Sequence, residues 1–511
     1  MTPRFANGLV LACIVACNGS AAPPPPAEPV SAPAPPPVTP AASARSPSGI
    51  WLGTLHAGKV ALRVQLRLDL VTATCALDSL DQHAVGIPCT ASFTGTALKV
   101  DVPAVKGTMQ VTLSVDGNAL DGTWTQGEPL PLTMTRQLAA IEPKPPAIDP
   151  ALPPVDVAHI QEVLDKDLAA ALASGGELAP GTDAGVTIGV VQHGVRRIFS
   201  YGTAKPDSVF EIGSVTKTFT GLLLAQLVEQ KKVRLDEPVR SLLPAGTVAA
   251  PSGPEITLVD LSAQHSGLPR MPDNFAPSNP SDPYADYDKK LLFAFIASHG
   301  VALPAKPEFE YSNLGVGLLG EALAERAGRS YEALLHDEVT GPLGMKDTAV
   351  ALTAAMRARF IQGHDGDHKP AGAWNLDALV GAGGIRSTAA DMLTYLEAQL
   401  HPDHLPRGAS GTPAGKTLAA ALAASHVMHG DAGPGMHIAL NWMRSDEAGV
   451  FWHNGATGAY SSFALFAPDS DFAVVVLSNT APGDRQFMDE LGQHIAQRFA
   501  GKPAVSLGPA Q

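Results

Sequence analysis

The stretch Phe210-Glu211-Ile212-Gly213-Ser214-Val215-Thr216-Lys217 puts a hydroxyl and an amine three residues apart, at the head of a leucine-rich run. Apolar residues recur at helical spacing from Phe219 to Val228, so the run is predicted to be a helix that starts close to Ser214. Residues i and i+3 share a helix face, with Cβ atoms about 5–6 Å apart. Lys217 can therefore reach Ser214, and a neutral or polarised lysine there can help remove the hydroxyl proton. The positive end of a helix also favours negative charge developing beside it. Taken alone, Ser-x-x-Lys is also the pattern of a helix cap beside an exposed lysine, so the flanking chain has to decide.

Upstream, Asp156 is placed to cap a helix running through Leu172. Gly185 to Val191 and Val195 to Tyr201 are two apolar runs joined at His193-Gly194, which reads as a hairpin. Downstream, Leu314 to Ala327 repeats the helical spacing. After Gly435 the pattern returns to strands, at His437 to Met443, Val450 to His453, Tyr460 to Phe466 and Phe472 to Leu477, before a closing helix from about Asp484 to Phe499. Two strands, a helical insert, further strands and a last helix predict an α+β fold, an antiparallel sheet flanked by helices.

Two more motifs follow the Ser214 stretch in order: Glu310-Tyr311-Ser312-Asn313-Leu314-Gly315, and Trp452-His453-Asn454-Gly455-Ala456-Thr457-Gly458. Leu261 to Pro269, Pro342 to Met345 and Gly383 to Ala389 add supporting pieces. The ordered set resembles the penicillin-recognising serine hydrolases, which include class C β-lactamases, related DD-peptidases and β-lactamase-like esterases, over residues 184–497. The resemblance implies that Ser214 is acylated and that Lys217 handles its proton. It gives Tyr311 the second acid and base role, aided where positive charge lowers a phenol pKa from about 10. Asn313 would bind the substrate amide carbonyl and hold Lys217, while Ser312 shapes the loop. The backbone N–H groups of Ser214 and Ala456 would form the oxyanion hole, with Gly455 beside them. No metal and no organic cofactor is implied, and the substrate would be a small molecule or peptide, such as one derived from peptidoglycan.

One departure bears on the substrate. The β-lactamases of this group carry Lys-Thr-Gly on the late strand, where this chain has His453-Asn454-Gly455. A histidine with an ordinary pKa of about 6.5 would be charged only conditionally near neutrality. Its hold on a substrate carboxylate would then be weaker than that of lysine and would fade between about pH 6 and 8. Asn454 in place of threonine removes a second expected carboxylate contact. Both changes shift the expectation from an efficient β-lactamase toward a DD-peptidase, amidase or esterase. The alternative is a penicillin-binding or cell-wall-binding protein that acylates without turnover. His265 is expected to be structural, and His364, Asp365, Asp367 and His368 to form a solvated loop rather than a metal site. The chain has no Gly-x-Ser-x-Gly elbow.

The rest of the 511 residues describes how such a domain would be delivered. Lys and Arg number 35 against 49 Asp and Glu, a net charge of −14, so the basic footprint of a nucleic-acid binder is missing. No internal apolar run reaches the ~18 residues of a membrane span. Arg4 precedes a short apolar stretch, Phe5 to Ala16, and residues 1–17 read as a secretion signal. Ile14-Val15-Ala16-Cys17 resembles a bacterial lipoprotein processing site, with Cys17 lipidated. Val10 to Cys13 is a shorter fit, and an ordinary cleaved signal is the other reading. A lipid on Cys17 would be the only membrane attachment, facing the periplasm or cell exterior.

Residues 18–47 hold eleven prolines and favour an extended stalk at ~3.1 Å per residue. Residues 48–136 alternate with period two, as at Val60, Leu62, Val64, Leu66 and Leu68, and Asp116-Gly117-Asn118 reads as a hairpin turn. This predicts a small antiparallel sandwich or barrel, read as a structural spacer because no His, Asp and Glu cluster there. In an exported chain Cys75 and Cys89 are expected to form a disulfide. A second Pro- and Ala-rich linker is expected at 137–156, the hydrolase domain at 157–500, and a tail at 501–511.

Overall fold

The computed structural model describes residues 46–57, 60–80, 84–126, 128–141, 147–405, 411–483 and 485–508. Cys17, the signal segment and residues 18–45 of the proline-rich stretch lie outside the described residues. The chain divides into two compact units, with Ala147 opening the larger.

In the smaller unit, nine strands from Gly49–Ala57 to Glu128–Gln137 form a single antiparallel sheet. Consecutive strands pair except the fourth with the fifth, and the first also pairs with the last through Ile50 to Gly53 against Met134 to Gln137. Period-two alternation sends Val64, Leu66 and Leu68 into a core with Trp51, Val100, Met109 and Met134. The opposite face is not uniformly open. Gln65 is buried and donates to Asp78 at 2.9 Å, and Asp78 pairs with Arg67 at 2.7 Å. The two ends of the sheet, Ala84–Pro88 and Thr90–Thr94, flank Cys89. Its N–H donates to the Cys75 carbonyl at 3.2 Å, and its sulfur forms the disulfide to Cys75.

The larger unit is built on an eight-stranded antiparallel sheet. Its order is Val195–Gly202, Gly185–Gln192, Phe472–Ser478, Ser461–Ala467, Val450–Ala456, Met443–Ser445, Met436–Ile438 and Gly430–Gly433. Helices cover both faces, which explains why strands Ser461–Ala467 and Phe472–Ser478 are buried at every position. Along Phe472–Ser478, Phe472, Val474 and Val476 join the core under helices Ile160–Asp167 and Phe487–Phe499. Ala473, Val475 and Leu477 enter the larger core, which holds helices Thr216–Glu229, Asn313–Ala327 and Ala389–Leu400.

Three local expectations differ from the structure. The strand expected from His437 to Met443 is two short strands, because the chain turns back between them. Asn441 sits at φ +62°, and the Ala439 N–H donates to the Trp442 carbonyl at 2.8 Å. The helix expected through Leu172 is interrupted after Asp167 and resumes at Ala169–Leu172. Ile148–Asp149 and Ala504–Val505, in segments read as linker and tail, pair as a two-stranded ribbon. Arg485 fixes the end of that tail by donating to the Ser506 and Gly508 carbonyls.

The disulfide closes a loop of about fifteen residues, for which loop-closure entropy alone gives about 3 kcal/mol. The Cys75→Ser/Cys89→Ser double variant should therefore show a urea transition of the small unit lowered by about that amount. An unchanged transition would show that the bond adds nothing to the strand pairing.

Candidate active site

Ser214 lies in the short turn Gly213–Val215, which leads into helix Thr216–Glu229. Glycine is required just before it. Gly213 has φ +47°, and a methyl group there would lie 2.6 Å from the Ala456 nitrogen. Gly455 meets the same constraint from the other side, since a Cβ would come within 2.1 Å of the Ile212 carbonyl oxygen and 2.9 Å of the Ser214 nitrogen. Two glycines thus let the Ser214 turn and strand Val450–Ala456 touch backbone to backbone. This brings the N–H groups of Ser214 and Ala456 to one place.

Lys217 is fully buried. Its Nζ lies 2.9 Å from Ser214 Oγ and donates to Asn313 Oδ1 at 2.8 Å and to the Ala382 carbonyl at 2.7 Å. Burial pushes its pKa well below the ordinary lysine value, and the Arg270 charge lowers it further. A neutral amine has two N–H groups and one lone pair. In the neutral form that burial favours, the two carbonyl oxygens take the N–H groups and the lone pair is left to face the Ser214 hydroxyl.

Asn313 opens helix Asn313–Ala327, and Ser312 caps it by accepting from the Gly315 N–H at 2.8 Å while donating to the Pro269 carbonyl at 2.6 Å. Gln264, at φ +61°, accepts from the N–H of Glu310 through its carbonyl and from that of Ser312 through its side chain, both at 2.7 Å. Tyr311 is clamped between those two bonds. Lys217 Nζ stands 4.8 Å from its ring centre, Arg270 Cζ 5.1 Å, and the His453 ring 6.2 Å. Ser214, Lys217, Tyr311, Asn313, His453, Gly455 and Ala456 therefore converge.

Strand alternation separates His453 from Asn454. His453 faces the Ser214 side with Phe451 and Gly455. Asn454 faces the opposite side and donates to Asp489 Oδ2 at 2.6 Å. It lies outside the site, so its replacement of threonine bears on packing against helix Phe487–Phe499. The expectation that His453 titrates between pH 6 and 8 is overturned. Burial pushes its pKa down to about 3, with the neighbouring Lys217 as a smaller influence in the same direction, against a weaker opposing hydrogen bond at the Asn454 carbonyl. Its imidazole is neutral at physiological pH.

Sequence reasoning missed four contributors. The Ala382 carbonyl, on the turn Val380–Gly383, is a backbone atom. Arg270 follows the quoted Leu261 to Pro269 motif by one residue. Gln264 and Arg386 stood inside quoted motifs without a role. Arg386 forms a buried pair with Glu211 at 3.0 Å, and both bond the backbone of Trp374. That pair joins Phe210–Glu211 to Arg386–Ser387 and steadies the approach to Ser214. His265 packs its ring against Gly430 and bonds the Ala263 carbonyl, a structural place. His364 is buried beside Asn479 rather than solvated. Among the described residues no group of three or more His, Cys, Asp or Glu could hold a metal.

A family model described as Beta-lactamase matches residues 177–497, more than half of the chain. The chain belongs to the beta-lactamase family. It is 28% identical over 335 residues to the D-alanyl-D-alanine-carboxypeptidase/endopeptidase AmpH of Escherichia coli (strain K12), covering 62% of this chain and 85% of that protein. A beta-lactamase of Pseudomonas fluorescens is 26% identical over 341 residues, covering 58% of this chain and 88% of its own. Among solved structures, a class C beta lactamase from Rhodobacter sphaeroides aligns at TM-score 0.51 and 22% identity, over 67% of this chain and 96% of that one, and shares the fold. Membership makes the chain a serine hydrolase of the β-lactamase and penicillin-binding type.

The neutral state of His453 has a thermodynamic consequence. Below about pH 6.5 the unfolded chain takes up a proton that folded His453 refuses until about 3. Its contribution to stability is thus full above pH 6.5 and is lost as pH falls through that window. His453→Gln should flatten the fall of the urea midpoint between pH 6.5 and 4 relative to wild type. Parallel slopes would show an ordinary, titrating imidazole.

Proposed function

We propose that this chain is an exported serine hydrolase that works through an acyl-enzyme on Ser214, with amides or esters of the D-Ala-D-Ala peptide or esterase kind as substrates. The observation that carries the reading is the buried Lys217 amine, 2.9 Å from Ser214 Oγ and depressed in basicity by its surroundings. Lys217 Nζ takes the hydroxyl proton as Ser214 Oγ attacks the substrate carbonyl carbon. The resulting oxyanion accepts hydrogen bonds from the N–H groups of Ser214 and Ala456, the kind of fixed backbone donors that stabilise charge as it develops. Tyr311 delivers a proton to the leaving amine or alcohol and then withdraws one from the water that cleaves the ester, while Lys217 returns its proton to Ser214 Oγ. Asn313 uses its Nδ2 side for the acyl amide, because its Oδ1 is engaged by Lys217.

Esters without a carboxylate at that place are favoured over β-lactams because position 453 offers a neutral imidazole to a substrate carboxylate. The peptide part of the reading is supported separately by the relative named as a D-alanyl-D-alanine-carboxypeptidase/endopeptidase. Export rests on the sequence of residues 1–17, with Cys17 as the lipidated residue and the membrane anchor. No described helix is long and apolar enough to cross a membrane.

Ser214→Ala should abolish labelling by a fluorescent phosphonate and hydrolysis of p-nitrophenyl esters, with an unchanged far-UV CD spectrum. Full labelling of that variant would remove Ser214 as the nucleophile. A single stoichiometric burst without steady turnover on esters, nitrocefin and D-Ala-D-Ala peptides would mark a penicillin-binding protein instead. Cys17→Ser should release the protein from membranes of its host. A wild type that is already soluble there would overturn the anchor.

A further inference from the structure

His453 has two ring nitrogens, and the fold engages one of them. Its Nδ1 lies 2.5 Å from the backbone carbonyl oxygen of Asn454. A carbonyl oxygen can only accept, so Nδ1 carries a proton. The side chain is buried, and burial keeps the imidazole neutral, with Lys217 a smaller influence in the same direction. A neutral imidazole has a single N–H, so Nε2 is left with a lone pair and no proton. The other tautomer would set a bare Nδ1 against the Asn454 carbonyl, with two lone pairs at hydrogen-bond distance. Among the described residues Nε2 has no hydrogen-bond partner.

The strand fixes where that lone pair stands. His453 faces the Ser214 side of Val450–Ala456, as Gly455 does. Nε2 belongs to the edge of the ring farthest from Cβ, away from the strand that carries it. The neighbouring ring is that of Tyr311, with centres 6.2 Å apart and planes inclined at 49°. Tyr311 is the group assigned above to the leaving amine or alcohol. Ala456, whose N–H marks the carbonyl under attack, comes three residues later, about 10 Å of extended strand. His453 therefore borders the leaving-group half of the substrate.

We infer that His453 is a specificity-determining residue whose Nε2 accepts a hydrogen bond from a neutral donor on the leaving-group half of the substrate. This rests on the acyl-enzyme reading proposed for Ser214 and on the part Tyr311 plays in it. The favoured leaving groups carry an N–H or O–H where a free C-terminal residue carries its carboxylate. A peptide that continues past the cleaved bond, or that ends in an amide, has such a group. A carboxylate brings only acceptors to that place, and its lone pairs would face the one on Nε2. The hydrolysis is otherwise unchanged, and His453 takes no part in bond making.

The test uses the full chain and three esters with one acyl half, N-acetyl-D-alanyl, on the alcohols D-lactamide, N,N-dimethyl-D-lactamide and D-lactate. The first offers an N–H donor, the second is neutral without one, and the third ends in a carboxylate. All three give the same acyl-enzyme, so kcat/KM reports the step in which the alcohol is still bound. Wild type should cleave the lactamide ester best and the lactate ester worse. His453→Phe keeps a buried ring without the acceptor, and should lower the lactamide-to-dimethyllactamide ratio by about threefold to tenfold, the range of one neutral hydrogen bond. His453→Lys replaces the acceptor by donors, and should raise the lactate-to-lactamide ratio by about tenfold to a hundredfold, the range of a charge-assisted bond.

A wild type that prefers the lactate ester would overturn the assignment. So would an equal loss on all three esters in His453→Phe with unchanged ratios, which would make His453 a packing residue. If His453→Phe does not fold, the wild-type ranking and His453→Lys decide. Phosphonate labelling of Ser214, followed in parallel, separates this inference from the reading beneath it. A wild type that is not labelled and cleaves none of the esters would bring down the hydrolase site itself. A labelled wild type that rejects the lactamide ester would bring down only the role given to His453.

Discussion

A primary amine without solvent contact is the constraint on which the larger unit depends. An isolated charge at Lys217 Nζ would be expensive to bury, so the fold must either neutralise it or surround it with acceptors. It supplies hydrogen-bond partners from three separate places in the chain, Ser214, Asn313 and Ala382. Each needs its own element to be set correctly. Ser214 needs the tight Gly213 turn, Asn313 needs the Ser312 cap, and Ala382 needs a short turn packed against two helices. Close contacts accomplish the last, because a Cβ on Gly317 would strike Leu379 and one on Gly381 would approach Gly320. Thr220 adds a hydrogen bond to the Gly381 carbonyl at 2.7 Å from the same helix that carries Lys217. The core and the site are therefore one packing problem.

The second organising fact is that strand Val450–Ala456 serves two faces. Period-two geometry gives His453 and Gly455 to the Ser214 side and Trp452 and Asn454 to the C-terminal helix. Asp489 is buried behind that strand, and burial raises its carboxyl to about 7 against the opposing hydrogen bond from Asn454. Substitutions at neighbouring positions of the motif thus act on unrelated surroundings. Asn454 contributes to how firmly the strand is held, and His453 to what a substrate meets.

What could be read in the sequence follows from what each signal encodes. Ser214 and Lys217 were legible because helical spacing carries geometry, and the 185–202 hairpin because alternation and His193-Gly194 mark a turn. Tyr311, Asn313 and Gly455 came from the order of motifs rather than from local pattern. Ala382 was illegible since its contribution is a carbonyl oxygen, which any residue possesses. The Glu211–Arg386 pair joins residues far apart in the chain and has no spacing to betray it. The charge state of His453 failed for a further reason. A reference pKa describes a solvated imidazole, and burial was the larger cause of its departure. The turn at Asn441 was hidden because His437 to Met443 is apolar enough to pass for one continuous strand.

These points meet in the electrostatics around Tyr311. Desolvation is the larger influence on Lys217 and the Arg270 charge the smaller, and both disfavour the ammonium form. One guanidinium therefore helps to keep the amine a base, beyond whatever it holds. Burial dominates, so the amine is held toward neutrality, with its lone pair available to Ser214. A lysine at position 453 would instead place a second permanent charge near the same ring and amine. The neutral imidazole adds no such charge beside the Tyr311 ring and the Lys217 amine.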